Sequence, residues 1–135
     1  MRLEKPMRRI CTSAEDVATI VRDWTRTAGG REVFVAISLD GRHRSIVLRT
    51  ISVGTLTSSL VHPREVFRGA IEDGAAAIIV AHNHPSGECY SSQEDHDVTK
   101  RLVQAGKILG ICVLDHVIVT SDSFYSFQSS GDLEG

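Results

Sequence analysis

The sequence predicts an α/β fold of the α+β kind, a mixed β-sheet with flanking helices. Helical and strand patterns follow one another in the order α-β-β-α-β-α-β. Asp40-Gly41 lies between two runs rich in β-branched residues, which indicates an antiparallel hairpin. Residues 75–81 are apolar without alternation, as expected of a strand covered on both faces. At 135 residues the chain has the size of one domain, so we expect residues 1–135 to form a single domain.

The first helix is predicted from its start signal and its apolar stripe. Ser13 offers a capping hydroxyl, and Glu15 and Asp16 place acids near the positive end of the helix dipole. Gly29-Gly30 ends the segment. The residues that recur at helical spacing, and that we expect in the core, are Val17, Ile20, Val21 and Trp24.

The hairpin is predicted to consist of two strands at residues 32–39 and 45–53. A second helix follows, with Pro63 in its first turn, Gly74 at its end and His62 as a candidate cap. Its expected buried face consists of Val66, Phe67, Ala70 and Ile71.

The covered strand at residues 75–81 runs straight into His82. The pattern then becomes helical from Ser92 to about Leu109, and Gly110 can end this helix. The expected inward residues are Val98, Leu102, Val103 and Leu109. The segment "ICVLDHVIV" predicts another strand, and "SFYSF" predicts a short one.

Composition limits the classes of protein that the chain can belong to. It is 41% hydrophobic and 24% charged, an ordinary globular balance. The net charge of −2 gives no support for a nucleic-acid partner held by bulk charge, although composition alone leaves one open. The three cysteines are scattered without a C-x-x-C pair, which favours reduced thiols in the cytoplasm. We expect no membrane partner, because the apolar runs are too short to cross a bilayer and the start lacks a signal-peptide core.

The stretch "AHNHPSGECYSSQED" predicts a metal site. Residues i and i+2 of a strand share a face, so His82 and His84 can present two imidazoles to one point. Pro85 and the Ser86-Gly87 pair permit a sharp turn, and the chain then returns to a helix that carries Asp95. Two imidazoles and one carboxylate suit zinc and leave a fourth position for water, which is typical of a catalytic site.

Several residues in this region also have structural interpretations. Ser92-x-x-Asp95 resembles a capping box, a role that is compatible with positioning the aspartate. Cys89 lies between the ligands, and we favour a small loop residue over a thiol that reaches the metal. We expect His116 to be a hydrogen-bonded structural histidine rather than a fourth ligand, and His96 to face solvent.

The pattern H-x-H-P-x-G, then seven residues from the second histidine to Ser92, then S-x-x-D, resembles the JAMM (MPN+/JAB) metalloprotease motif. "HNHPSG", with "HPREVF" upstream and "RLVQAGKILGICVLDHVIV" downstream, is similar to the RadC-like branch of that family. The resemblance covers residues 32–127 and implies a JAB/MPN, cytidine-deaminase-like architecture. Glu88-Cys89-Tyr90 departs from the family, whose RadC members often carry an Asp-Pro-type turn there.

The resemblance implies a role for each matching residue. Ser92 would stabilise the oxyanion of a tetrahedral intermediate, and an upstream glutamate would accept the proton of the attacking water. Glu32 matches the position of that general base, whereas the competing Glu65 sits at a helix start, where the dipole favours an acid in any case. The implied ligands of Zn²⁺ are His82, His84 and Asp95.

The function that the sequence predicts is that of a JAMM-type zinc metallopeptidase. It would hydrolyse a peptide or isopeptide bond of a peptide or protein substrate through a zinc-activated water. The alternative is a RadC-type protein, DNA-repair-associated or a scaffold, whose metal site is not proteolytic. We expect the helix-hairpin-helix segment of longer RadC proteins to be absent, because the residues before Glu32 have room for one helix only. Substrate identity and oligomeric state stay open.

Overall fold

The computed structural model describes residues 4–7, 13–57 and 60–133. These ranges contain three helices, α1 (Ala14–Thr25), α2 (Pro63–Glu72) and α3 (Gln93–Leu109). They contain six strands, β1 (Glu4–Pro6), β2 (Val33–Leu39), β3 (Ser45–Val53), β4 (Ala77–Asn83), β5 (Cys112–Val119) and β6 (Phe124–Ser126). The predicted elements are all present, and β1 is an additional strand.

The six strands form one mixed sheet in the order β1-β3-β2-β4-β5-β6. Strands β4 and β5 are parallel, and the other neighbouring pairs are antiparallel. The parallel pair is joined through α3, as parallel strands require a crossover connection. The predicted class, a mixed sheet with flanking helices, is therefore confirmed.

The sheet is covered on both faces. On one face α1 packs against β2, β4 and β5, and the apolar cluster there includes Val21, Ile37 and Val117. On the other face α2 and α3 pack against the same central strands, in a cluster that includes Phe67 and Leu102. All seven residues of β2 are buried, which explains why the central strands do not alternate between apolar and polar residues.

The starts of the helices follow the sequence signals, whereas α1 ends at Thr25, four residues before the predicted Gly29-Gly30. Ser13 accepts a hydrogen bond from Asp16 N at 3.1 Å, and Gly110 ends α3 in the left-handed conformation with φ 74°. His62 occupies the N-cap position of α2, as predicted, but its side chain makes no capping hydrogen bond. Pro63 supplies the start instead, since it has no amide hydrogen to satisfy.

Two predicted core positions are exposed. Ile71 is 58% exposed and Leu109 is 48% exposed. At about 100° per residue, Ile71 points roughly 120° away from the centre of the face formed by the buried residues of α2. Leu109 is the last residue of α3, directly before the chain turns away at Gly110. Trp24 is half-buried, and its Nε1 donates to Thr50 Oγ1 at 2.9 Å.

Within the described ranges, no helix combines the length and the apolar character needed to cross a membrane.

Candidate metal centre

The candidate site lies where β4 ends and α3 begins, on the sheet face covered by α2 and α3. Strand β4 runs to Asn83, two residues further than predicted, so His82 is part of the strand. His82 pairs with Phe34 of β2 and Ile118 of β5, and it is 1% exposed. A site at this end of a parallel strand, beside the start of the following helix, is a common location for ligand binding in open sheets that contain parallel strands.

The turn after β4 fixes the second histidine. His84 N donates to Val119 O at 2.8 Å, which extends the pairing with β5 by one residue. Gly87 N donates to His84 O at 3.0 Å and closes the predicted turn. Gly87 has φ 85°, a conformation that favours glycine.

The structure brings the three predicted ligands together. His82 Nε2 lies 2.9 Å from His84 Nε2 and 3.1 Å from Asp95 Oδ1. His84 Nε2 lies 3.8 Å from Asp95 Oδ2. One ligand atom from each residue lies within 4.8 Å of the others, so the group could hold a metal ion.

The chemistry of His84 suits such a role. Its Nδ1 lies 2.9 Å from the carbonyl oxygen of Glu88. A carbonyl oxygen only accepts, so Nδ1 carries the hydrogen, and in the neutral ring Nε2 keeps a lone pair. This lone pair faces the other histidine and the carboxylate. Two nitrogens and a carboxylate directed at one point form a donor set that fits zinc.

Asp95 is held by a reciprocal capping box at the start of α3. Ser92 N donates to Asp95 Oδ2 at 2.7 Å, and Asp95 N donates to Ser92 Oγ at 3.2 Å. Burial by itself would raise the pKa of Asp95, but the neighbouring His82 and the hydrogen bond from Ser92 N outweigh it and lower that pKa far below its usual range. The carboxylate is therefore ionised at neutral pH.

The register of the sheet places Glu32 on the same face as the two histidines. Phe34 pairs with His82, and residues two apart on a strand share a face. Glu32, two residues before Phe34, therefore extends toward the side of the sheet that carries the site. The half-buried carboxylate is anchored, since Oε2 accepts from Leu56 N at 2.9 Å.

Glu65, the competing candidate for a general base, lies elsewhere. Its side chain is 45% exposed and is 3.4 Å from Arg68 on α2. It lines a surface cavity of about 230 Å³ together with Glu4 of β1 and Arg49 of β3. Glu65 is not among the residues that the structure groups as possible ligands of one ion.

A second layer of buried residues supports His82. His116 is fully buried on β5, and its Nε2 lies 2.8 Å from His82 Nδ1. Its Nδ1 lies 2.5 Å from the hydroxyl of Thr99 on α3. Burial, and then the charge of His82, lower the pKa of His116 well below its ordinary value. Phe127 stacks on His116 with a ring separation of 4.6 Å.

A β-bulge puts His116 in this position. Ile78 pairs with Val113, but Ile79 pairs with Asp115, so β5 contains one extra residue at Leu114. Without the extra residue, the alternation of side chains would turn His116 to the opposite face of the sheet.

Sequence reasoning missed Thr99. The available signal was its spacing: Thr99 follows Asp95 by four residues, which places both on one face of α3. The prediction that His96 faces solvent was also wrong. His96 is half-buried, its Nε2 lies 2.8 Å from Ser91 Oγ, and its ring lies 5.0 Å from that of Phe127.

Cys89 does not join the three candidate ligands. Its thiol lies 3.8 Å from Ile118 O and donates to that carbonyl. Cys89 and Cys112 are free thiols, and Cys11 lies outside the described residues.

A cavity of about 420 Å³ opens beside His84. Asn83 and Pro85 line it, together with Arg22 of α1 and Arg26, which directly follows that helix. His84 therefore lies between the buried candidate ligands and this cavity.

Comparison with known proteins gives one family. A family model described as a RadC-like JAB domain matches residues 11–132. A UPF0758 protein of Caldanaerobacter subterraneus subsp. tengcongensis is 48% identical over 120 residues, which is 89% of this chain and 51% of that protein. A UPF0758 protein of Bacillus cereus is 45% identical over 133 residues, which is 98% of this chain and 59% of that protein. The chain thus spans about half the length of the curated relatives it matches.

Proposed function

Because this chain belongs to the RadC-like JAB domain family, we propose that it is a zinc-dependent hydrolase that cleaves an amide bond in a peptide or isopeptide linkage. The observation that supports this proposal most is the convergence of His82 Nε2, His84 Nε2 and the Asp95 carboxylate on one point. Three protein ligands leave a coordination position open, which is the arrangement of catalytic rather than structural zinc sites.

The three ligands are suited to their task before any ion arrives. Asp95 is ionised and buried, so it contributes a negative charge in a place where little solvent screens it. When bound, a zinc ion would lower the pKa of a water molecule from about 15.7 to about 7 and so supply hydroxide at neutral pH.

Glu32 and Ser92 would carry out the proton transfer and the charge stabilisation. One carboxylate oxygen of Glu32 is anchored by Leu56 N, so the other can accept a proton while the group stays oriented. Ser92 Oγ accepts from Asp95 N, and a hydroxyl in that position still has its own hydrogen to donate. It can direct that hydrogen at the negative charge that develops on a carbonyl oxygen during hydrolysis.

Metal analysis tests this proposal most directly. We expect the purified protein to contain about one zinc ion per chain, and His84→Ala to lose it because only two ligands remain. His62→Ala is the matched control: this histidine is exposed at the start of α2, and its side chain makes no capping bond. Equal metal content in the wild type and in His84→Ala would contradict the proposal.

A further inference from the structure

A chain of buried hydrogen bonds connects two of the candidate metal ligands through the second layer. Thr99 Oγ1 donates to the backbone oxygen of Asp95 at 2.7 Å, and the same hydroxyl lies 2.5 Å from His116 Nδ1. His116 Nε2 then lies 2.8 Å from His82 Nδ1. All four residues are at most 2% exposed, so their polar atoms bond to one another rather than to solvent.

The donor and the acceptor of each of these hydrogen bonds follow from the bond between Thr99 and Asp95. A carbonyl oxygen has no hydrogen, so Thr99 must give its single hydroxyl hydrogen to Asp95 O. Thr99 Oγ1 can then only accept from His116, which places the hydrogen of that ring on Nδ1.

The same logic continues to the metal ligand. A neutral imidazole with its hydrogen on Nδ1 has a bare Nε2, so His116 Nε2 accepts from His82 Nδ1. The hydrogen of His82 is therefore on Nδ1, and its Nε2 keeps a lone pair. This is the nitrogen that lies 3.1 Å from Asp95 Oδ1.

We propose that Thr99 and His116 are positioning residues, which fix the proton of His82 on Nδ1 and so present its Nε2 lone pair to the metal. This proposal rests on the proposed function only in taking zinc as the ion. His84 has an independent means of orientation, the carbonyl of Glu88. The two residues therefore act on His82 alone.

The closing experiment compares two substitutions at one position in the full chain. Thr99→Val removes the hydroxyl and keeps a branched side chain, whereas Thr99→Ser keeps the hydroxyl. We expect zinc affinity, measured by competition with a chromophoric chelator, to fall about 10- to 100-fold in Thr99→Val. Thr99→Ser should bind close to the wild-type affinity. Equal affinity of the two variants would overturn the proposal.

A second measurement reads the proton positions and needs neither variant to fold. In metal-free wild-type protein labelled with ¹⁵N-histidine, long-range ¹H–¹⁵N spectra distinguish the two tautomers of each ring. We expect the Nδ1–H tautomer for His116, and a spectrum with the hydrogen on its Nε2 would overturn the proposal.

The outcomes separate this proposal from the proposed function. Wild-type protein that binds no zinc refutes the function, and the spectra of the metal-free protein still decide the proton positions. Tight zinc binding without hydrolysis of any peptide refutes only the hydrolase, and the valine–serine comparison still decides the role of Thr99.

Discussion

Glu32 is the residue that we propose as the general base, and its position next to β2 bears on that role. It directly precedes β2, and its carboxylate accepts a hydrogen bond from Leu56 N. This bond orients the carboxylate through one oxygen, and the other oxygen can accept a proton.

We predict that Glu32→Gln keeps zinc but lowers hydrolysis by about 100- to 10,000-fold, the range for removal of a general base. Glutamine has nearly the same shape and can still accept from Leu56 N, so the fold should be unaffected. The measurement is cleavage of an internally quenched peptide library alongside metal content. Glu65→Gln is the matched control, and a loss of activity there instead would mean that the base is misassigned.

The two candidate histidines could be predicted because their relation is local. A strand repeats every two residues, so the spacing of His82 and His84 was enough to place both side chains on one face. The hydrogen-bond chain through Thr99 and His116 depends on packing between α3 and β5, which no short stretch of sequence encodes.

At the scale of elements, a half-buried ion pair joins the end of the second helix to the sheet. Asp73, directly after α2, accepts from Arg49 Nη1 of β3 at 2.8 Å and from Ser38 Oγ of β2 at 2.7 Å. Its side chain is only 9% exposed. Burial would raise the pKa of Asp73, but its hydrogen bonds from Arg49 and Ser38 outweigh burial and lower that pKa.

We predict that Asp73→Asn lowers the free energy of unfolding at pH 7 by about 1–3 kcal/mol, because it leaves a charged guanidinium with a weaker partner. Asp23→Asn is the control, since Asp23 pairs with Arg26 on the surface and should matter little. Urea titrations measure both.

The stabilisation that Asp73 contributes should decrease as the pH falls. The folded pKa of Asp73 lies below its unfolded value, so its contribution is complete above the unfolded pKa and is lost as the pH falls toward the folded one. Wild-type stability should therefore decline toward that of Asp73→Asn in acid. A difference between the two that stays constant with pH would contradict this account.

Helices and strands were predicted well where the hydrophobic pattern was periodic or continuous. They were predicted poorly where only pairing with a neighbouring strand stabilises the segment. Residues 75–81 predicted a strand covered on both faces, and β4 is buried from Ala77 to His82. Strand β1 consists of three exposed residues that pair with β3. Such a segment has no hydrophobic pattern from which a strand could be predicted. The bulge at Leu114 could not be predicted either, because one extra apolar residue does not change the apolar character of β5.

At the scale of the whole molecule, the net charge of the chain argues against nucleic-acid binding driven by bulk charge. The net charge is −2, so few phosphates could be neutralised without a local concentration of basic residues.

We predict no stable complex with duplex DNA in gel-shift titrations above about 0.1 M salt, where weak electrostatic binding is lost. The His84→Ala variant should behave in the same way, because its substitution lies in the proposed metal site and not on a DNA surface. Tight binding with a steep dependence on salt would favour the DNA-associated alternative.

The capping box at the start of α3 affects how a metal ion would bind to Asp95. Since Ser92 already fixes the Asp95 side chain, the conformational entropy of that ligand is lost when the chain folds and not when the ion binds. Such a preorganised carboxylate needs no rearrangement on loading. Apo and loaded molecules should then share one backbone at this helix terminus, and the added ion would raise the melting temperature with the logarithm of its concentration relative to its Kd.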